Sequence, residues 1–226
     1  MTRWICIKDC RVLGQNFKKD NLVEYATNPN SACFEAYPGD EILLVTNTPR
    51  TDRDGTLYFG ATGWDDFAAP ATRAKQGQTD KPDFDFTRMG LLFPQNDPDE
   101  KIYVMDQIPH RWKVGSPIRP HVHWLQESTD LPVWKMDYRI MNVNEVDDGV
   151  FTSVTCKTTT LFPYTSGNMR QITEFPPINM TGYTPSAQFE FIMYRDDNVV
   201  SGDVLFKTFD FHYQIDSIGS GREYDK

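Results

Sequence analysis

From Leu91 onward the chain repeats one pattern: short runs in which apolar and polar residues alternate, each closed by a turn-forming cluster. Successive side chains of a strand point to opposite faces, so a period of two marks strands with one buried face. No stretch carries the 3.6-residue apolar period of an amphipathic helix, which leaves packed sheets as the architecture. The runs are Leu91–Phe93, Lys101–Gln107, His121–Glu127, Val133–Asn142, Phe151–Leu161, Met169–Phe175, Phe189–Tyr194 and Val204–Ile215. In Val133–Asn142, Trp134, Met136, Tyr138 and Ile140 share one face, and Lys135, Asp137 and Arg139 the other. In the last run Leu205, Phe209, Phe211, Tyr213 and Ile215 are expected on one face, interrupted only by Lys207. Turn signals stand at 146–149, 165–168 and 196–202. About eight strands so punctuated predict an all-β fold, a jelly-roll-like antiparallel β-sandwich over residues 91–226. The 13% aromatic content and 15 prolines suit strands and turns.

The first part, residues 1–59, reads as a small β unit or extension. Trp4–Ile7 and Glu41–Thr46 are its predicted strands, with turns at 18–21 and 37–40 and a polar linker at 48–55. Residues 60–90 have no clear period and are predicted to be a long extended segment. Structureless stretches of that length are usually functional or contact-making, and Trp64, Phe67, Phe84 and Phe86 argue against disorder. Two placements follow: an arm buried against another subunit, or a strap over its own domain.

The formal net charge of −9 lacks the basic stripe of a nucleic-acid binder. No apolar run reaches the length of a membrane-spanning helix. The N-terminal Met1–Asp9 is broken by charge too early for a secretory signal, so synthesis in a cytoplasm is expected. The four cysteines, Cys6, Cys10, Cys33 and Cys156, lack zinc-ligand spacing and are read as reduced core or surface residues.

One stretch has the composition of a chemical site. In a strand, His121, His123 and Glu127 face the same way, and His212 lies on the polar face of the last strand with Asp210 and Gln214. With Gly115, this spacing resembles the first motif of the cupins, jelly rolls that hold a divalent metal by such residues. The resemblance stops at Trp134, where the motif's closing glycine belongs, and no second cupin motif follows. Fe, Mn, Ni or Zn would suit such donors. The competing reading, that the histidines hydrogen-bond on a half-polar sheet face, is favoured. No catalytic residue and no cofactor is therefore assigned, and His121, His123, Glu127 and His212 stand only as metal candidates. Pro109–Lys113, with His110 and Trp112, reads as an exposed turn, and the Asp pairs at 65–66, 147–148 and 196–197 as turn residues.

Several phrases resemble a family of tailed-bacteriophage virion proteins. They are Gly63-Trp-Asp-Asp-Phe67, Lys81-Pro-Asp-Phe-Asp85, Gly90-Leu-Leu-Phe-Pro-Gln-Asn-Asp97 and Pro109-His-Arg-Trp-Lys-Val-Gly-Ser116. Pro120-His-Val-His-Trp124, Trp134-Lys-Met-Asp-Tyr138, Tyr194-Arg-Asp-Asp-Asn198 and the stretch Phe211–Ser220 continue the series. The resemblance spans most of the chain from about residue 60. It implies a structural component of the virion, made in the host cytoplasm, forming a homo-oligomer and binding other virion proteins, with no nucleic-acid or membrane partner. A capsid decoration or cementing role is the expectation, with neck or tail attachment as the alternative. Trp64, Phe67, Phe84 and Phe86 are the candidate interface residues, because aromatics dominate interface energetics. The rivals from other classes are a cupin-like metal-dependent enzyme and a glycan-binding β-sandwich using exposed aromatics such as Trp112.

Overall fold

A computed structural model describes residues 62–219 in full apart from residue 198, and before residue 62 the backbone of the strands. The chain divides into two compact units, Met1–Arg50 with Phe59–Ala61, and Thr51–Tyr58 with Thr62–Lys226. In the first, β1 (Thr2–Cys6) lies between β4 (Leu22–Tyr25) and β5 (Phe34–Ala36), and β2 (Cys10–Val12) pairs with β3 (Gln15–Phe17). β1 overlaps the predicted strand at 4–7. The predicted strand at 41–46 and the turns at 18–21 and 37–40 lie outside the described residues. A two-residue β6 (Arg50–Thr51) falls in the predicted linker.

The second unit is an all-β sandwich of two antiparallel sheets, with no helix among the described residues. Its strands are β7 (Leu57–Pro70), β8 (Lys75–Gln76), β9 (Asp83–Asp85), β10 (Gly90–Phe93), β11 (Lys101–Gln107), β12 (Arg119–Gln126), β13 (Trp134–Met141), β14 (Thr152–Thr155), β15 (Met169–Glu174), β16 (Gln188–Arg195) and β17 (Val204–Ser217). The pairing from β10 onward is nested: β13 with β14, β12 with β15, β11 with β16 and β10 with β17. That is one long hairpin closed at its tip by residues 142–151. It is wrapped so that β12 also joins β17 and β13 also joins β16. The wrap yields one sheet ordered β15-β12-β17-β10 and another ordered β14-β13-β16-β11, which is the strand order of a jelly roll.

The alternation of apolar residues sets which faces meet. Trp124, Phe206, Phe209 and Phe211 from the first sheet face Trp134, Phe189, Phe191 and Met193 from the second, all essentially without exposure. Phe93 meets the Trp134 ring edge-on at 5.3 Å, and Phe191 lies 4.9 Å from Phe209. Burying each such side chain contributes roughly 1.5–3 kcal/mol before the entropy of ordering is set against it. Tyr138, read from the sequence as the fourth inward residue of β13, is only partly buried against this core. The described cysteine, Cys156, is buried and unpaired, and its Sγ accepts the Trp134 N–H.

One face assignment in β17 differs from the sequence expectation. His123 pairs with Thr208 but Trp124 with Phe206, so Lys207 is the extra residue of a β-bulge. Val204 and Phe206 therefore point into the core with Phe209, Phe211 and Tyr213, and Leu205 turns to the outer face. The lysine that interrupted the pattern is the point where the strand changes phase.

Within this one chain, the stretch expected as an extended arm contributes strands, separated by turns, that pair with the sandwich. β7 runs along β17 from Gly63 opposite Ile215 to Pro70 opposite Thr208, β8 pairs with β11, and β9 with β10. The reason lies in the phase of β7. Phe67 and Ala69 fall on the core side, where Phe67 stacks on Phe211 at 4.9 Å.

Candidate functional site

The histidine stretch forms β12, whose inner face carries Val122 and Trp124 into the core. His121 and His123 therefore stand on the outer face of the first sheet. The register sets Asp210 of β17 directly across from His121, and His212 across from Arg119. His123 Nε2 lies 3.0 Å from Asp210 Oδ2, and His121 Nε2 lies 3.8 Å from the same oxygen. His121 Nδ1 is 3.3 Å from the Arg119 carbonyl oxygen. Although it is on the outer face, His121 is only 3% exposed. That burial pushes its basicity below the usual histidine range, with the neighbouring His212 and His123 adding to the effect.

Of the four sequence candidates, the structure brings the rings of His121, His123 and His212 together and leaves Glu127 apart. The His212 ring packs on His121 at 4.4 Å between centroids, but its Nε2 turns to Asp66 Oδ1 at 3.1 Å. Glu127 lies beyond the end of β12, where Arg88 Nη1 reaches its Oε1 at 2.9 Å. Asp210 completes the set in its place. Among the described residues, His121, His123 and Asp210 are the one group of three whose ligand atoms all lie within 4.8 Å of one another. Asp210 was visible only as a polar-face neighbour of His212, because its approach to His121 depends on cross-strand register, which spacing along one strand does not give.

Next to this cluster, Trp64, Asp66, Arg119 and His212 line a groove of about 400 Å³, in which the Arg119 guanidinium sits 5.0 Å from the Trp64 ring. Trp64 is half exposed and Phe86 is 82% exposed. Phe67 and Phe84 pack instead against the sandwich's own core, so the four aromatic candidates do not form one surface.

The turn at 109–113 departs from expectation. Trp112 is fully buried and its Nε1 donates to the Ser116 carbonyl, so it offers nothing to an external sugar. His110 Nε2 shares a hydrogen bond of 2.7 Å with Ser186 Oγ. The backbone N–H of Trp112 bonds back to Pro109, and that of Lys113 bonds to Gln214, which turns the loop inward over the end of β17. Of the Asp pairs expected as turn residues, Asp65–Asp66 lies instead within β7, where Asp65 accepts from Tyr213 Oη at 2.6 Å, and Asp196 pairs with Lys135.

On the second sheet, the outer face carries Tyr103 and Met105 of β11, with Ile192 of β16 across from Tyr103. Together with Phe151 and the core-side Phe67 and Phe191 they line a mainly apolar groove of about 610 Å³.

No protein-family model and no curated protein matches the chain. Among solved structures, it is similar to a carbohydrate-binding module, CBM36, in complex with calcium and xylotriose, at 13% identity over 64% of this chain and 98% of that one, with a TM-score of 0.37. It is similar to the CBM36-1 domain of a multidomain xylanase from the hindgut metagenome of Trinervitermes trinervoides, at 10% identity over 65% and 96% of the two chains and a TM-score of 0.34. A third similar structure is that of Cocksfoot mottle virus, at 11% identity over 82% and 97% and a TM-score of 0.28. The chain's place among jelly-roll sandwiches follows from its own strand order.

Proposed function

We propose that this chain is a structural protein of a bacteriophage particle, a decoration or cementing subunit that docks on neighbouring subunits through the outer face of its second sheet. The observation that carries the reading is the apolar groove at Tyr103, Met105 and Ile192. An outward sheet face is ordinarily polar, yet here Met105 is 69% and Tyr103 41% exposed beside Ile192 and Phe151. Exposed apolar side chains gathered in this way, with Arg73, Lys75 and Glu190 in the same lining, suit a protein contact site. The sequence resemblance to virion proteins and the wrapped sandwich support the same reading. Burial of such a face contributes about 25 cal/mol per Å² and would bridge subunits against internal pressure. The net charge of −9 suits a position away from the packaged genome. Trp64 and Phe86 are the further contact residues that this reading keeps.

The test is co-sedimentation of the purified chain with phage particles assembled without it. The parent chain is expected to pellet with particles, and the Met105→Lys, Tyr103→Lys double variant to stay in the supernatant with an unchanged circular dichroism spectrum. Full binding by that variant would overturn the reading. Labelling of bound particles in electron micrographs separates a head position from a neck or tail one.

A second reading, glycan binding, is favoured by the groove where Trp64 stands half exposed beside Asp66, Arg119 and His212. An aromatic face flanked by polar groups is the usual chemistry of a sugar site. Saturable binding of a host polysaccharide, lost in Trp64→Ala, would favour it over particle docking.

A further inference from the structure

We propose that His121, His123 and Asp210 bind one divalent first-row transition-metal ion, linking β12 to β17 on the outer face of the first sheet. Four observations carry it. Ligands about 2.0–2.1 Å from a shared tetrahedral or octahedral ion lie roughly 3.0–3.4 Å apart; His123 Nε2 already stands 3.0 Å from Asp210 Oδ2, and His121 Nε2, at 3.8 Å, has to close by about half an ångström when the ion binds. The Arg119 carbonyl can only accept, so the contact at His121 Nδ1 puts a proton there and leaves Nε2 with its lone pair toward the carboxylate. Two acceptors then face each other. Finally, Asp210 Oδ1 is buried with no hydrogen-bond partner among the described residues, a costly arrangement for a carboxylate oxygen.

A simple His123–Asp210 hydrogen bond answers only one of these points. It leaves the His121 lone pair opposed to the carboxylate and Asp210 Oδ1 unused. A cation among the three turns both histidine nitrogens and Asp210 Oδ2 into ligands, and the Arg119 carbonyl becomes the outer partner that metal-bound histidines typically have. Two imidazoles and one carboxylate suit Zn, Fe, Mn, Co or Ni better than Ca or Mg, which prefer all-oxygen sites. His123 and Asp210 are partly exposed, so the remaining coordination positions open to solvent.

The test is calorimetric titration with Zn²⁺ of full-length protein made without an affinity tag and stripped with a chelator. Saturable binding of about one equivalent is expected. His123→Ala and Asp210→Asn should each weaken it by at least about tenfold. Glu127→Gln should leave it unchanged. Circular dichroism confirms that each variant is folded. Because Asp210→Asn stands the greater risk of misfolding, the visible spectrum of the Co²⁺ form of His123→Ala gives a second readout, and the d–d bands should change or vanish. Absence of saturable binding would overturn the proposal. So would one-equivalent binding that persists in His123→Ala with an unchanged cobalt spectrum, since the ion would then sit elsewhere.

Discussion

Arg195 and Asp197, two residues apart at the end of β16, form a two-pronged ion pair closed off from solvent. Arg195 Nε donates to Asp197 Oδ2 at 2.8 Å and Nη2 to Oδ1 at 3.0 Å, and neither side chain exceeds 1% exposure. The remaining guanidinium protons go to the carbonyls of Phe93, Gly202 and Val200, and Asp197 accepts the N–H groups of Val133 and Val199. Burial alone would raise the Asp197 carboxyl, but Arg195 and those N–H groups hold it below its usual range. The pair thus ties the ends of β10, β16 and β17 to the start of β13. Arg195→Met strands a buried carboxylate and is expected to cost about 3–5 kcal/mol. Thermal unfolding followed by circular dichroism should show a midpoint lower by on the order of 10 °C. A fall under about 2 °C would mean that the pair braces nothing.

Glu100 is expected to make the fold less stable as pH rises from about 4.5 to neutrality. Burial, with Asp97, Asp83, Asp203 and Asp80 around it, pushes its carboxyl up to about 7, and Oε2 is buried without a partner among the described residues. The folded state therefore holds a proton that the unfolded chain has released, and stability falls between the ordinary carboxylate value of 4.5 and about 7. Glu100→Gln should raise the midpoint at pH 8 and leave it nearly unchanged at pH 4.5. Equal shifts at both values would mean that the effect is not titration.

The strands of the sandwich were legible because each carries its own alternation, and β11 begins and ends at the predicted residues. The wrap was not, since pairings such as His121 with Asp210 join segments far apart in the chain. The same limit hid the site: two ligands share a strand and one periodicity, while the third comes from across the sheet. Arg195 did leave a sequence signal, falling in phase with Phe189, Phe191 and Met193 where a charge must be paired. Phe151–Leu161 is strand over only part of its length, because its threonines favour strand locally but only Thr152–Thr155 finds a partner on β13.

Gly90 is set where β10 crosses closest to β17. A Cβ there would come 2.6 Å from the Phe206 carbonyl oxygen and 2.8 Å from Leu205 Cγ. A backbone oxygen cannot rotate away, so Gly90→Ala is expected to cost about 1–3 kcal/mol. Gly167→Ala is the control, since no described residue would come within 4 Å of a Cβ there. It should be neutral or stabilising by up to about 1 kcal/mol. Denaturant titration of both variants checks the contrast, and equal midpoints would refute it.

Lys207 sets the phase of β17, and deleting it should be far worse than changing it. Its side chain anchors the turn before β10, with Nζ donating to the Met89 carbonyl at 2.7 Å and also to that of Arg88. Lys207→Met loses those bonds, worth about 1.5–3 kcal/mol each where the donor is charged and less where it is exposed. Deletion removes the bulge itself. A one-residue slip flips every side chain beyond it, so either Val204 and Phe206 or Phe209, Phe211 and Tyr213 would be forced onto the outer face. The deleted protein should show no cooperative unfolding transition, while Lys207→Met keeps one at lower temperature. If the deletion unfolded as cooperatively as Lys207→Met, the two halves of β17 could shift phase independently, and the bulge would be an adjustment to the core and not its cause.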